Sequence, residues 1–249
     1  MSNPEMNAAP SSRETVILVP GLLCDGAVWQ HQQAAISREY DVLVPDLTRQ
    51  DSIAAMAAQV LADAPPRFAI AGHSMGARVA LSVWQQAPDR VQRLALLDTG
   101  VHPAGPDEPS KRQAMLDISA NRGMTALADV WLPPMVKDGL LDTDPMLRAA
   151  LYAMVGRMSP AIHRAQIAAL LARPDARPLL PLIRCPVLIG VGALDRWSPP
   201  DQHREIASVI SHARYVVFED SGHMAPMEAA EAVSDALLQW MHEPEGQSA

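Results

Sequence analysis

Short, continuously apolar runs alternate with stretches of helical periodicity along most of the chain. Six runs are typical of strands: residues 16–19, 42–44, 68–71, 94–97, 187–191 and 215–218. Between the second and third runs, apolar residues recur at helical spacing, at Ile53, Met56, Ala57 and Val60. Strands that are apolar throughout, without alternation, indicate a parallel sheet buried on both faces. The pattern therefore predicts a doubly wound α/β fold, with a mostly parallel sheet of about six strands flanked by helices.

The alternation breaks between about residues 100 and 182, where helical patterns occur without a strand-like run. Three polar residues can cap helices there: Ser110, Asp144 and Ser159. We predict an α/β core made of residues 14–99 and 183–242. Residues 100–182, called the insertion below, are predicted to be a helical cap between the fourth and fifth strands. Residues 1–13 and 243–249 are predicted to be tails.

Composition narrows the classes of function. Acidic residues outnumber basic ones 28 to 20, the formal net charge is −8, and no basic cluster offsets it. Partners such as nucleic acid or an anionic membrane are therefore not expected. Two cysteines in 249 residues, without metal-ligand spacing, do not indicate a disulfide framework. No apolar run approaches membrane-spanning length, and the first 13 residues lack the apolar region of a secretory signal. We expect a cytoplasmic protein whose oligomeric state the sequence leaves open.

A G-x-S-x-G motif, Gly72-His73-Ser74-Met75-Gly76, separates the third predicted strand from a helical pattern. In that context the serine stands on a tight strand-to-helix turn, with its hydroxyl exposed at the top of the sheet. A Cβ at either glycine would collide across the turn. The motif predicts Ser74 as a nucleophile and the Met75 N–H as one oxyanion donor. The alternative is a turn whose serine only caps the following helix.

A nucleophilic serine needs a base and an orienting carboxylate. Asp195 follows the fifth strand and His223 the sixth, and loops at the carboxyl ends of parallel strands converge. The order Ser74, Asp195, His223 is the one expected for this architecture. Asp98 remains an alternative acid because it also ends a strand. His73 cannot curl back onto its neighbour to act as the base.

The second oxyanion donor is expected in the loop after the first strand, which reads Val-Pro-Gly-Leu-Leu. Leu22 is the predicted donor, and Leu23 is the alternative because loop register cannot be derived from sequence. Cys24 has no paired histidine motif and is interpreted as a packed loop residue. Since the sequence has neither a glycine-rich phosphate loop nor a metal cluster, no cofactor and no metal are predicted.

Four motifs together resemble those of the α/β-hydrolase fold superfamily, in its small, cap-bearing esterases and lactonases. They are V-P-G-L-L at 19–23, G-H-S-M-G at 72–76, G-A-L-D-R-W-S-P at 192–199 and G-H-M-A-P-M-E at 222–228. The resemblance covers about residues 15–242 and is weak in the insertion. It implies a Ser-His-Asp triad, but it does not identify the substrate. The family often has His-Gly where this chain has Pro20-Gly21. It also often begins with two antiparallel strands, for which the segment before Val16 is too short, so we expect six parallel strands.

The insertion is rich in Met, Leu and Ala. This composition is typical of an apolar lid over an acyl substrate, and equally of an ordinary helical core. Five residues are predicted to line a substrate pocket: Leu23, Trp131, Met135, Met154 and Met224. Five arginines of the insertion are carboxylate-binding candidates, although a solvated helix face is the simpler interpretation of each: Arg112, Arg122, Arg148, Arg157 and Arg164.

The leading hypothesis is a serine hydrolase that cleaves a small-molecule carboxylic ester, thioester or lactone through an acyl-enzyme. A cofactor-free lyase or acyltransferase would keep the triad without hydrolysing esters well. A ligand receptor on the same scaffold would show little turnover. Labelling of Ser74 by a fluorophosphonate, followed by a panel of esters and lactones, separates these hypotheses.

Overall fold

The computed structural model describes residues 13–244, and six strands within them form one parallel sheet in the order β2-β1-β3-β4-β5-β6. The strands are β1 Thr15–Val19, β2 Asp41–Leu43, β3 Phe68–His73, β4 Val91–Leu97, β5 Val187–Gly192 and β6 Arg214–Phe218. Each predicted run overlaps one of them, and the parallel α/β fold is confirmed. The predicted tails lie outside the described residues, except for positions 13, 243 and 244.

Ten α-helices occur in the described part of the chain. They are α1 Gln30–Ile36, α2 Ile53–Asp63, α3 Met75–Gln86, α4 Glu108–Trp131, α5 Leu140–Thr143, α6 Pro145–Gly156, α7 Pro160–Leu171, α8 Pro200–Val209, α9 Ala225–Glu228 and α10 Ala230–Met241. The chain moves from β1 to β2 in one direction across the sheet and from β2 to β3 in the other. Right-handed crossovers therefore place α1 and α2 on opposite faces. Helix α1 packs against α10 and α2 against α3, so both faces of the sheet are covered.

Helices α4 to α7 lie within residues 100–182, between β4 and β5. Helix α4 begins at Glu108, ahead of the predicted cap at Ser110, and it is interrupted at Gly123, where φ is 82°. Glycine tolerates that positive φ without steric cost. Asp144 and Ser159 cap α6 and α7 as predicted, because each side chain accepts an N–H from the first turn of its helix.

The strand order reverses between β1 and β3, and ligands of open α/β sheets bind at the carboxyl ends of strands at such a point. Every residue of β3 and of β5 is buried, so the sheet fixes the positions of the loops that follow them. Leu22 follows β1 and Ser74 follows β3, so both lie just beyond the ends of adjacent strands. In residues 13–244, no helix is long and apolar enough to cross a membrane.

Candidate active site

Ser74 stands on a strained turn between β3 and α3, with φ 55° and ψ −116°. A Cβ on Gly76 would lie 2.2 Å from the Val19 carbonyl oxygen, and one on Gly72 would lie 2.3 Å from the Gly76 carbonyl oxygen. Only glycine fits at either position. The Ser74 side chain makes no capping hydrogen bond to α3, so the geometry does not support the alternative of a helix cap. A non-glycine residue held at positive φ is a form of strain that occurs at functional sites.

A continuous chain of hydrogen bonds connects Asp195, His223 and Ser74. His223 Nδ1 lies 2.8 Å from Asp195 Oδ2, and His223 Nε2 lies 2.8 Å from Ser74 Oγ. Burial acts to raise the pKa of Asp195, but His223 and the N–H groups of Ser198 and Trp197 outweigh it, so the pKa is lowered. An ionised carboxylate only accepts hydrogen bonds, so His223 Nδ1 donates and Nε2 accepts the Ser74 hydroxyl proton.

Asp98 lies near these three residues but is not part of their chain of hydrogen bonds. Its Oδ1 accepts the Gly192 N–H at 2.8 Å, and its Oδ2 is 4.0 Å from His73 Nε2. Burial, and then the charge of Asp195, raise the pKa of Asp98. His73 Nε2 donates to the His223 carbonyl at 2.7 Å, and burial lowers the pKa of His73 to about 3. The carboxylate that contacts His223 Nδ1 is therefore Asp195, and Asp98 fixes the end of β5.

Glu228, which the sequence interpretation did not single out as functional, holds the loop that carries His223. Its carboxylate accepts the N–H groups of Gly222 at 2.9 Å and Met224 at 3.1 Å, on the two sides of His223. It also accepts the N–H of Lys137, in the insertion, at 2.7 Å. The sequence holds one signal for this role, since Glu228 follows the Gly222-His223 pair by five residues.

The loop after β1 is held from the insertion by Gln166 of α7. The Leu23 N–H donates to Gln166 Oε1 at 2.9 Å, so this N–H is already engaged. In residues 13–244 no partner is found for the Leu22 N–H, and both Leu22 and Met75 line the same cavity as Ser74. Of the two candidate donors in this loop, Leu22 is the one with an available N–H.

Cys24, in the same loop, is not an alternative nucleophile. Its Sγ donates to the Leu22 carbonyl at 3.3 Å. Burial, and then the charge of Asp25, raise the pKa of Cys24 to about 12. Since the thiolate is the reactive form, a thiol that stays protonated is inert.

A cavity of about 570 Å³ opens over Ser74 and His223. Trp131 and Met135 line it, as expected from the sequence. The other three predicted pocket residues are fully buried but are not part of its lining: Leu23, Met154 and Met224. For these three, the expectation that they line the pocket is corrected. Their apolar character has a structural cause, since they pack in the hydrophobic core.

Charged side chains line the same cavity, and one of the five arginines named as carboxylate-binding candidates from the sequence, Arg112, is among them. Arg112 is 7% exposed and lies in the cavity wall, so the solvated helix face is the wrong interpretation for this arginine. Arg78 and Arg173 line the cavity with it. In the described part of the chain, no group of three or more His, Cys, Asp or Glu side chains could hold a metal ion.

The arrangement can activate a serine for attack on a carbonyl carbon. A serine hydroxyl that is hydrogen-bonded to an imidazole, which a buried carboxylate in turn orients, is the arrangement that catalyses acyl transfer. Two N–H groups beside the same hydroxyl could hold the negative charge that forms on the carbonyl oxygen.

The chain is similar to known hydrolases over most of its length. A model of the alpha/beta hydrolase family matches residues 16–236. A pimeloyl-acyl-carrier-protein methyl ester esterase of Aliivibrio salmonicida is 28% identical, and the match covers 84% of each chain. A thermophilic esterase from Thermogutta terrifontis, solved with malate bound, superposes with a TM-score of 0.85 at 27% identity, over 92% of this chain and 89% of that one. The enol-lactonase from Burkholderia xenovorans LB400 gives 0.82 at 26% identity, over 93% and 92%.

Proposed function

Because the chain belongs to the alpha/beta hydrolase family, we propose that it is a serine hydrolase that cleaves a carboxylic ester, thioester or lactone. The observation that carries the proposal is the hydrogen-bond chain from Asp195 through His223 to Ser74, with both links at 2.8 Å. Relatives named as a methyl ester esterase and an enol-lactonase support the same bond class. Residues 100–182 act in this proposal as the cap over the substrate.

In the first half of the reaction, Ser74 Oγ attacks the carbonyl carbon while His223 Nε2 takes the hydroxyl proton. The charge that forms on the carbonyl oxygen is held by the N–H groups of Leu22 and Met75. His223 then gives its proton to the leaving alcohol or thiol as the bond between carbonyl carbon and leaving group breaks. The product of this half is an acyl-enzyme on Ser74.

In the second half, water attacks the carbonyl carbon of the acyl-enzyme, and His223 takes a proton from that water. Collapse of the second tetrahedral intermediate returns that proton to Ser74 Oγ and releases the carboxylic acid. Asp195 keeps Nδ1 protonated throughout and stabilises the imidazolium that forms in each half. The side chain of His223 is 4% exposed, so the base is shielded from bulk water.

The test is the reactivity of Ser74 towards a fluorophosphonate, together with hydrolysis of p-nitrophenyl esters of increasing chain length and of lactones. The Ser74→Ala variant should lose labelling and about 10⁴-fold or more of the turnover. Cys24→Ala is the matched control and should retain both. Labelling without ester or lactone hydrolysis would favour a lyase or acyltransferase. Wild-type turnover in Ser74→Ala would refute the proposal.

A further inference from the structure

The cavity over Ser74 is lined by an excess of basic side chains. Its lining contains five, Arg78, Lys111, Arg112, Arg173 and Arg196, against two acidic ones, Asp107 and Glu108. The chain as a whole has the opposite balance, with a formal net charge of −8. Gathering cations in a partly desolvated cavity is unfavourable unless they meet negative charge. Asp138, outside the lining, pairs with Arg196, and the remaining excess of positive charge favours an anionic occupant.

Glu108 satisfies two of these cations. It accepts from Arg173 at 2.7 Å and from Arg112 at 3.0 Å. Arg173 also donates to three backbone carbonyl groups, and the Arg112 guanidinium lies 4.9 Å from the centre of the Trp197 ring. Both arginines are thus held in place by the protein, and they share one carboxylate between them.

Arg78 differs from them because it has no carboxylate partner within residues 13–244. One of its guanidinium nitrogens donates to the His102 carbonyl at 3.0 Å, and the side chain lines the cavity. Burial, and then repulsion from Arg173, lower the pKa of Arg78 to about 9. Burial and the charge of Arg78 also lower the pKa of His102. The groups around Arg78 therefore experience a positive field that an anion would relieve.

Arg78 also lies close to Ser74 along the fold. It is the fourth residue of α3, which begins directly after Ser74, and both residues line the same cavity. Helical side chains lean towards the N-terminus, which here is the Ser74 end. Arg78 lies within the first turn of α3, and an acyl or alcohol chain of a few carbons spans a helical turn of about 5.4 Å.

We propose that the substrate carries a carboxylate that binds the guanidinium of Arg78, about one helical turn from the carbonyl carbon that Ser74 attacks. The proposal rests on the hydrolase function proposed above. The planar fork of a guanidinium matches two carboxylate oxygens. The apolar side chains of Trp131 and Met135 in the cavity wall suit the hydrocarbon part of such a substrate.

The test compares matched esters with and without the carboxylate. Monomethyl glutarate carries it on the acyl side, and the acetate of γ-hydroxybutyrate carries it on the alcohol side. Their neutral counterparts end in an isopropyl group of similar shape. We expect the wild-type kcat/KM to favour the anionic ester on one side by about 10- to 100-fold. Arg78→Met should remove that preference, and Arg78→Lys should keep part of it.

Arg164→Met is the matched control, because Arg164 is an exposed arginine of α7 that does not line the cavity. It changes the net charge by the same amount and should keep the preference. Circular dichroism of each variant checks that the fold is intact. Neutral esters that match or exceed both anionic ones, or a preference that survives Arg78→Met, would overturn the proposal.

Binding to the Ser74→Ala variant separates this proposal from the hydrolase function. Calorimetry should show that the preferred anionic ester, which is not cleaved there, binds more tightly than its neutral counterpart, and that adding Arg78→Met weakens its binding about tenfold or more. If wild-type protein hydrolyses no ester while this binding pattern holds, the hydrolase function fails and the carboxylate site stands. If neutral esters are hydrolysed and neither anionic ester binds, the carboxylate site fails alone.

Discussion

Replacing Gln166 by methionine removes both hydrogen bonds of a buried side chain while keeping its length and its helix propensity. Gln166 is 1% exposed. Its Oε1 accepts the Leu23 N–H at 2.9 Å, and its Nε2 donates to the Leu47 carbonyl at 3.3 Å. A buried N–H left without a partner costs about 1–3 kcal/mol. The longer bond to Leu47 adds about 1 kcal/mol, so the free energy of unfolding should fall by about 2–4 kcal/mol in total.

The same substitution should slow catalysis. The Leu23 N–H bond fixes the peptide next to Leu22, the proposed oxyanion donor, and loss of one whole donor costs about 10²- to 10³-fold in kcat. Since Gln166→Met only loosens that donor, we expect about a tenfold decrease in kcat with little change in KM. Gln113→Met is the control, because Gln113 is exposed on α4 and donates to Asp117.

Urea unfolding and the hydrolysis of a short p-nitrophenyl ester measure the two effects separately. Gln113→Met should stay within about 0.5 kcal/mol of the wild type and keep its kcat. Reduced stability with unchanged kcat in Gln166→Met would mean that the bond does not orient the oxyanion donor. Unchanged stability as well would refute the reasoning altogether.

Three further predictions concern the acid, the pH dependence of stability and the cavity wall. Asp195→Asn should lower kcat by about 10⁴-fold because His223 would be left with the wrong tautomer. Asp98→Asn should cost far less, and the reverse order in folded protein would transfer the role of the acid to Asp98. Burial lowers the pKa of His203 to about 4 from 6.5. Because the unfolded state takes up the proton at a higher pH than the folded state, the free energy of unfolding decreases as the pH falls from about 6.5 towards 4, by up to about 1.4 kcal/mol per pH unit. Urea unfolding between about pH 7 and pH 5 should show a smaller decrease in His203→Gln than in wild type or in the exposed-site control His212→Gln, and equal decreases would contradict this. Trp131→Ala should change the preferred acyl length, by about 1–3 kcal/mol of discrimination per methylene, with unchanged fluorophosphonate labelling. A uniform loss with slower labelling would make Trp131 a core residue.

The strands and the candidate site residues could be predicted from the sequence because both depend on local signals. All six apolar runs are strands. Burial on both faces explains this for β3 and β5, whereas the edge strands β2 and β6 are apolar but only partly buried or exposed. Ser74, Asp195 and His223 each follow a strand, and parallel topology alone brings such residues to one edge. Their convergence at one edge could therefore be predicted, whereas the contacts themselves depend on the loops that follow β5 and β6.

The residues that support the site were not accessible, because their roles depend on contacts between distant segments. Gln166 binds Leu23 across 143 positions of the chain, and its own neighbours in sequence give no sign of this. The same limit applies to the cavity wall. Helical periodicity predicts that Trp131 and Met154 both face the interior of the protein. It does not distinguish a cavity wall from a packed core, and only Trp131 lines the cavity.

Glu228 limits how this protein could be rebuilt by exchanging segments. A chimeric chain with a foreign insertion must still supply a backbone N–H where Lys137 now donates to Glu228. Proline at that position would leave the carboxylate with only the two N–H groups beside His223. A graft meant to alter selectivity alone would then also disturb the loop that carries the proposed base. In such an exchange, the peptide bond between residues 136 and 137 should therefore be kept from the host protein, and the foreign segment should be joined elsewhere.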